Sequence, residues 1–331
     1  SSEEPLPEQG GMARLVSILQ DGLRGKGHHV DVFYPTIRLK ELKFSRIPLA
    51  DYRNYDLIHV HGPTPLLSDT ALIKQRRPIV YTHHAEVSWI SEIISKLYRR
   101  VHRYIVMIRA KAIIVHSRDY ARLFDDGKNT FIIRPCTIPP PNEFVTPDEK
   151  DQIFTVLFVG QLRPFKGVEM LIRSAKMLKD IRFIIIGEGY LKPKLMKMAR
   201  DVKNVEFLGR VSDRELVDCY RLSHVICLPS INTTEGWGLV LTEGAFHGCV
   251  PVASNLIGVR EHVNIIGGLL VNPNSVQDLT NRLSSIKREG SFASLMAKVQ
   301  RRSRLYYREN DEDSYVRGHE SVYKLALGRI T

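Results

Sequence analysis

No stretch of the chain reaches the ~18 uninterrupted apolar residues that a membrane span needs, so no bilayer-crossing helix is expected. Cysteine is scarce. The four are Cys136, Cys219, Cys227 and Cys249; no two form a C-x-x-C pair and no nearby histidine completes a zinc pattern. A zinc ribbon is thereby excluded, Cys227 in its apolar run reads as a small buried hydrophobe, and reducing cytosol is the expected compartment. The first ten residues are acidic and contain proline without an apolar core segment, so no secretory signal is expected in them. Acidic residues are the minority charge, 36 Asp and Glu against 48 Lys and Arg, for a net charge of +12. That balance favours an anionic partner: phosphates, nucleic acid or acidic lipid headgroups.

The 331 residues suffice for two domains at roughly 150 residues each. Short apolar runs at 29–34, 56–61, 79–82, 112–116 and 130–134, then at 154–160, 182–187, 205–208, 225–228, 250–253 and 268–271, read as strands. Most are nearly all apolar, as in a parallel sheet buried on both faces. Helical stretches such as 11–24, 168–179, 192–200 and 213–222 lie between them, which predicts a doubly wound α/β architecture. Pro135, Pro139, Pro140 and Pro141 rule out helix or central strand between the two series. The expected division is 1–140 for the first domain, 141–150 for a linker, 151–309 for the second domain and 310–331 for a last helix packing back on the first. The tail 292–327 reads as helical, with a break near 310–313. A Rossmann-like half ordinarily opens with a strand that leads into its first glycine loop. Here Gln9-Gly10-Gly11 comes after only eight residues, so an opening strand is expected either to be lost or to lie outside this numbering.

The most informative segment is Thr233-Thr234-Glu235-Gly236-Trp237-Gly238-Leu239-Val240-Leu241-Thr242-Glu243-Gly244. Its two carboxylates stand eight residues apart, one in a glycine-rich loop and one inside the helix that follows. Glycines let backbone amides approach a ligand, and a helix start aims its positive end at anionic oxygens. The spacing alone is better read as a solvated charge pair on a helix. The context favours a ligand: Leu228-Pro229-Ser230 ends a buried strand just before it and Pro251-Val252-Ala253-Ser254 begins the next. The loop therefore falls at the carboxyl edge of a parallel sheet, where ligands bind.

This segment resembles the E-x7-E signature of the retaining family-four glycosyltransferases, E-G-F-G-L-x-x-x-E followed by G-x-P-V. Trp237 stands at the Phe position, and Gly248-Cys249-Val250-Pro251-Val252 is close to the usual turn. The resemblance implies that Glu235 contacts the sugar of a nucleotide-sugar donor, that Glu243 contacts the ribose, and that Gly238 and Leu239 meet the diphosphate. Val159-Gly160-Gln161-Leu162-Arg163-Pro164-Phe165-Lys166-Gly167 is similar to G-R-L-x-x-x-K-G, whose Arg and Lys neutralise that diphosphate. Lys166 fits; Gln161 occupies the Arg position, and Arg163, two residues on, is expected to supply the charge. Gln9-Gly10-Gly11, followed by a helix ending near Gly25-Lys26-Gly27-His28-His29-Val30, resembles the family's Gly-Gly loop and G-H-x-V, which puts the amides of Gly10 and Gly11 near the donor phosphate. Tyr81-Thr82-His83-His84-Ala85-Glu86 resembles T-x-H, whose register picks His84 to lie beside the transferring carbon. His59 and His61 read as structural.

Three further stretches extend the likeness. His116-Ser117-Arg118 is similar to a strand-end serine of the family, without a chemical role; Ile185-Ile186-Gly187-Glu188-Gly189 and Gly258-Val259-Arg260-Glu261 are the others. The matches run in the family's order from about residue 9 to residue 272. The implied fold class is α/β, GT-B: two Rossmann-like domains with parallel sheets facing across a cleft and a C-terminal helix crossing back to the first domain. The implied chemistry is front-face attack with retention, the acceptor hydroxyl giving its proton to the departing phosphate oxygen. It needs no metal and no cofactor, the nucleotide-diphosphate sugar being a substrate. Asp311-Glu312-Asp313 lies in the helical tail and is not a convincing metal-binding D-x-D.

Residues 90–111 carry apolar side chains at helical spacing, among them Ile90, Ile93, Leu97, Val101, Tyr104 and Ile108. Lys96, Arg99, Arg100, Arg103, Arg109 and Lys111 accompany them against a lone Glu92. With Trp89 at its start, this fits an interfacial helix on anionic lipid and would suit a lipid-linked acceptor at the cytoplasmic face of a membrane. It fits equally a domain helix with its apolar face on the sheet and its basic face in water. A sugar or polysaccharide acceptor is the alternative within the same reaction, and a phosphorylase or an epimerase the alternative on the same architecture. A basic nucleic-acid-binding protein predicts basic residues interleaved with aromatics on an exposed stripe; no such stripe is read here, so no nucleic-acid partner is expected. A catalytically inert scaffold is the reading if the opening strand is naturally absent.

Overall fold

The computed structural model describes residues 10–33, 37–39, 42–44, 51–88, 91–124, 129–288 and 292–329. They divide into two compact units, one taking the described residues up to Cys136 together with those from Asn310 onward, the other spanning Thr137–Glu309. The first unit runs α1 (Gly11–Gly25), β1 (Ile37–Leu39), β2 (Leu42–Phe44), β3 (Ile58–Gly62), α2 (Leu67–Lys74), β4 (Ile79–His83), α3 (Glu92–Arg109), β5 (Ala112–Val115), α4 (Arg118–Ala121) and β6 (Thr130–Ile132). Strands β3-β4-β5-β6 form a parallel sheet in that order, with Ile58 opposite Ile79, Val80 opposite Ala112 and Ile113 opposite Thr130. β4 and β5 are buried along their whole length, as apolar runs in a doubly covered sheet must be. β1 and β2 pair with each other as an antiparallel hairpin.

The run 29–34 is not a strand. Residues 28–33 have no ladder and are exposed or half-buried throughout; Tyr34 lies outside the described residues.

The second unit runs β7 (Thr155–Val159), α5 (Val168–Met177), β8 (Arg182–Ile186), α6 (Lys192–Met198), β9 (Val205–Gly209), α7 (Asp213–Leu222), β10 (Val225–Leu228), α8 (Leu239–Phe246), β11 (Val250–Ser254), α9 (Val259–Ile266), β12 (Leu269–Val271), α10 (Val276–Arg288) and α11 (Phe292–Glu309). Its sheet is parallel and ordered β9-β8-β7-β10-β11-β12. Strand order reverses between β7 and β10, which makes their carboxyl ends the topological switch point of a Rossmann sheet. Val156, Phe158, Phe183, Ile185, Val225 and Cys227 are among the side chains that fill the core around it.

Lys150, just ahead of β7, is buried and donates to the carbonyl oxygens of Tyr220 (3.3 Å), Ser223 (2.8 Å) and His247 (2.6 Å). These carbonyls close the last turns of α7 and α8, where the helix dipole favours a cation. Burial holds the ammonium below the ordinary lysine pKa. Lys150→Met removes the cation from all three carbonyls, leaving Tyr220 O and Ser223 O only the weak Cys249 thiol donor, and should destabilise this unit by about 2–4 kcal/mol, read as a lower urea midpoint at an unchanged m-value.

The tail is two helices. It breaks at Asn310 and resumes as α12 (Glu312–Ala326), which Asp311 caps by accepting from the Ser314 N–H at 2.8 Å. α12 packs within the first unit against α1 and β4. The helices approach closely: a Cβ at Gly22 would fall 2.4 Å from Val316 Cγ2. Leu15, Leu19, Leu23, Tyr315 and Val316 form one core there, and Val80, Ala112, Ile114 and Val322 another.

Of the two readings of α3, the one that lays its apolar face on the sheet is not what the fold shows. Its buried residues are Ser95, His102 and Val106, whereas Ile93 is 81% exposed, Leu97 64%, Tyr104 62% and Ile108 61%. Partners on neighbouring elements make the polar face the one that can be buried. His102 Nδ1 lies 2.6 Å from Asp69 Oδ1, His102 Nε2 lies 3.0 Å from Tyr81 Oη, and Arg109 Nε donates to Leu72 O at 2.9 Å. Trp89 and Ile90 lie outside the described residues.

Candidate active site

Two loops leave the second unit's sheet at its switch point. The loop after β7 is wedged between its neighbours: Leu162 N–H donates to Glu188 O (2.9 Å) beyond β8, and Phe165 O accepts from Ile231 N–H (2.8 Å) beyond β10. A 3-10 turn over Pro164–Lys166 and a left-handed Gly167 (φ 68°) swing the chain into α5. A Cβ at Gly167 would fall 2.0 Å from Pro229 O, so both backbone conformation and loop contact require glycine.

This packing carries Lys166 to Glu235 although 69 residues separate them. Lys166 Nζ donates to Glu235 Oε2 at 2.6 Å, and the same oxygen accepts from Ser230 Oγ at 2.9 Å. Both charged side chains are largely covered, so these are charge-assisted bonds out of bulk water. Arg163, partly exposed, opens the 3-10 turn in the same loop.

Beyond Glu235 the segment is anchored at its middle. The Trp237 ring stacks on His262 (centroids 4.6 Å, planes 12° apart), and His262 Nδ1–H donates to Trp237 O at 2.9 Å. Gly238, left-handed at φ 80°, is the N-cap of α8, and Leu239 is its first residue; no side chain caps this helix start. Glu243 lies buried in α8, where it accepts from Tyr220 Oη at 3.2 Å.

The remaining candidates belong to the first unit. Gly10 is the exposed N-cap of α1 and Gly11 its first residue, again without a side-chain cap; Gln9 lies outside the described residues. His84 follows β4 and is buried, its Nε2 2.9 Å from His61 Nδ1 and its Nδ1 3.1 Å from His116 Nε2. His83 points to the other face of the sheet, 3.4 Å from Glu86. Lys166 and Glu235 are thus in direct contact. Arg163 shares the first of their loops, and Gly238, Leu239 and Glu243 follow from the second.

Sequence reasoning missed Ser230 and Tyr220 as partners of the two glutamates, and it missed the contacts among His61, His84 and His116. Ser230 was within reach, since it ends the strand run before Glu235. Nothing local marks the others. Among the described residues no group of three or more His, Cys, Asp or Glu side chains is arranged to hold a metal ion.

Comparison with known proteins agrees with this layout. The family described as Glycosyltransferase Family 4 matches residues 42–135, and that described as Glycosyl transferases group 1 matches residues 141–304. The D-rhamnosyltransferase WbpZ of Pseudomonas aeruginosa is 26% identical over 265 residues, 75% of this chain and 69% of that protein. The phosphatidyl-myo-inositol mannosyltransferase of Mycolicibacterium smegmatis is 26% identical over 296 residues, 76% of this chain and 74% of that one. Among solved structures, the sucrose-phosphate synthase of Thermosynechococcus elongatus superposes with a TM-score of 0.77 at 20% identity, covering 97% of this chain and 94% of that one. HepE of Anabaena, in complex with UDP-glucose, superposes at 0.73 and 18% identity, covering 97% and 98%. Likeness at these identities is likeness of fold. The chain belongs to the family-four glycosyltransferases and has their GT-B fold, built from two Rossmann-like units.

Proposed function

We propose that the chain is a retaining, metal-independent glycosyltransferase that uses a nucleoside-diphosphate sugar as donor. The observation that carries this reading is the Lys166–Glu235 pair at the switch point of the second sheet. Lys166 and Arg163, with the amides of Gly10, Gly11, Gly238 and Leu239, take the charge of the diphosphate. Glu243 binds the ribose, Glu235 the sugar hydroxyls, and His84 lies beside the transferring carbon. The bond from the anomeric carbon to the phosphate oxygen breaks while the acceptor oxygen bonds to the same face of that carbon. The acceptor's proton passes to the departing phosphate oxygen. Before a donor binds, Glu235 serves as counter-ion to Lys166; the diphosphate then takes its place. UDP-glucose bound to the Anabaena neighbour supports a nucleotide sugar as the ligand.

A thermal-shift panel of UDP, GDP, ADP and their sugars, without divalent metal, tests this. One nucleotide should raise the melting temperature by several degrees, since ligand at 100 times its Kd adds about 2.7 kcal/mol, and its sugar should be hydrolysed slowly. Absence of any shift across the panel, with or without Mg²⁺, would end the reading.

The acceptor is proposed to be lipid-linked and met at the cytoplasmic face of a membrane. No helix among the described residues is long and apolar enough to cross a bilayer, but α3 has the form of one that lies on it. Its outward stripe of Ile93, Leu97, Val101, Tyr104 and Ile108 is accompanied by exposed Lys96, Arg100 and Lys111. Burying each such apolar side chain fully is worth about 1.5–3 kcal/mol, and the cations suit anionic headgroups. The lipid in the name of the Mycolicibacterium relative points the same way. The full chain should cosediment with phosphatidylglycerol-containing vesicles more than with phosphatidylcholine alone, and Leu97→Asp with Ile108→Asp should reduce binding at least tenfold. Equal, negligible binding to both vesicle types would leave a soluble sugar or polysaccharide as the acceptor.

A further inference from the structure

We propose that the outer face of α5 and α6 is a docking surface for an anionic lipid bilayer, carried by the second unit on its own residues. The charge of that unit is concentrated there. Residues 137–309 hold 24 Lys and Arg against 18 Asp and Glu, and residues 173–203 hold nine against three. One stretch of chain thus carries the whole surplus of the unit.

The stretch folds into one face. α5 and α6 pack side by side, and Lys194 Nζ donates to Glu169 Oε1 at 2.7 Å across the seam. α5 turns Val168, Leu171, Ile172 and Ala175 to the core, which leaves Arg173 and Lys176 outward; α6 buries Leu195 and leaves Lys197 outward. Lys179, Arg200 and Lys203 follow just past the two helix ends, and all six of these cations are exposed. The other three of the nine have acidic partners: Lys192 has Glu188, Lys194 has Glu169, and Arg182 has Asp151 and Glu206. The six make no ion pair or side-chain hydrogen bond among the described residues. Of the acids in the stretch, Asp180 is taken by Lys287, and Asp201 is the one outside such pairs.

The fold has little internal use for this charge. A cation in the last turn of a helix eases the dipole, which accounts for Lys176 and Lys197. The carbonyls at the end of α5 are satisfied without them: Asn204 Nδ2 donates to Ala175 O at 3.1 Å and to Leu178 O at 2.8 Å. Arg173 beside Lys176, and Lys194 beside Lys197, place like charges one helical turn apart, which works against each helix. An anionic surface lying over the face offsets that repulsion.

The kind of anion is read from what stands between the cations. Met177 is 54% exposed and Met196 50%, so an unbranched apolar chain projects beside Lys176 and another beside Lys197. Neither helix carries an aromatic ring on which a base could stack, and two helices side by side make a face rather than a groove that tracks a strand. A soluble polyanion leaves the methionines in water. Cations interleaved with apolar side chains match the boundary between phosphate headgroups and acyl chains.

The test uses the full chain with vesicles of phosphatidylcholine alone and with phosphatidylglycerol added. Each Lys or Arg near such a surface strengthens binding about fivefold. Lys176→Glu, Lys197→Glu and Arg200→Glu together should therefore weaken cosedimentation with the anionic vesicles by at least about a hundredfold at low salt. The parent's binding should itself fall as salt rises, as a screened attraction does. The triple variant should keep the parent's melting temperature and nucleotide affinity, since the three side chains are exposed and unbonded. The chain carrying Leu97→Asp and Ile108→Asp should retain salt-sensitive binding that the three reversals remove, because α3 belongs to the first unit. Acetylation read by mass spectrometry locates the contact. Lys176, Lys179, Lys197 and Lys203 should react several-fold more slowly on phosphatidylglycerol vesicles, whereas Lys298, exposed on α11, which packs against α8 and α9, should react as before.

Equal binding of the triple variant and the parent, or unchanged acetylation of the four lysines, would overturn the proposal. So would protection of those lysines by a thymidine oligonucleotide in preference to vesicles at equal anion concentration, which would make the partner a soluble polyanion. Complete loss of vesicle binding on substituting α3 alone, with the four lysines of the parent unprotected, would leave any membrane contact to the first unit.

Discussion

Glu235→Gln should lower kcat for donor turnover by about 10²–10³-fold, the loss seen when one preorganised electrostatic contact to a transition state is removed. Affinity for the nucleoside diphosphate should be unchanged or tighter. The substitution retains shape and an oxygen for Ser230 Oγ and Lys166 Nζ, now at 2.9 and 2.6 Å from Glu235 Oε2, and removes only the charge. Glu235 currently competes with any phosphate for Lys166, so neutralising it favours the anion. Lys166→Ala is expected to do the opposite, weakening nucleotide affinity about 10–100-fold, as for a charge-assisted bond. Steady-state kinetics and calorimetric titration separate these effects. A purely structural ion pair predicts that both substitutions lower the melting temperature and couple to each other in a double-mutant cycle, with turnover untouched. Turnover of Glu235→Gln within threefold of the parent chain would favour that alternative.

The contact between Lys166 and Glu235 also marks how far local sequence reaches. Each motif is legible by itself, because a glycine loop after an apolar strand run is a local pattern. Their meeting depends on β10 lying beside β7, a fact of strand order that no window of sequence contains. Elements with strong local signals stand where the pattern puts them: α7 occupies residues 213–222 and β10 residues 225–228. α7 opens with a capping box in which Ser212 N–H donates to Glu215 Oε2 at 2.7 Å and Ser212 Oγ accepts from Glu215 N–H at 3.3 Å, a signal confined to four residues. The hairpin of β1 and β2 was missed because three-residue strands such as Leu42-Lys43-Phe44 are too short to show a period.

α3 shows a different limit. Its amphipathic period was plain, but which face turns inward was decided by Asp69 and Tyr81, side chains from other elements that satisfy His102. The contacts among His61, His84 and His116 lie further out of reach: His61 read as structural and the stretch at His116 carried no chemical role, and only the folded sheet brings the three rings and the Ile133 carbonyl together.

Acid should unfold the first unit well above the pH at which carboxylates titrate. His59, His61, His84, His116 and His319 are packed together there, and each has its pKa lowered, first by burial: to about 3 for His61, to about 4 for His116 and His319, and downward for the other two. The unfolded chain binds protons at these rings as pH falls through about 6.5, while burial keeps the folded rings neutral to well below that. The unfolded state therefore holds more protons in that window, and stability falls as pH falls. The sign is opposite to that of a histidine gaining an anionic partner. At pH 5 His61, His116 and His319, left neutral, each cost about 2 kcal/mol relative to the unfolded chain, which together reaches the lower end of the about 5–15 kcal/mol that a domain ordinarily has in reserve. Asp69 and Glu86, whose pKa values are also lowered, withdraw their contributions only below their ordinary carboxylate range and do not blur the window. Urea unfolding at pH 7.5, 6.5, 5.5 and 5.0 should show a midpoint that declines steeply below 6.5, with uptake of several protons on unfolding at pH 5.5. Replacing His319, whose Nε2 has no hydrogen-bond partner among the described residues, by phenylalanine should flatten that decline by close to one proton's worth. A midpoint constant from pH 7.5 to 5.0 would mean that the fold does not hold these rings neutral.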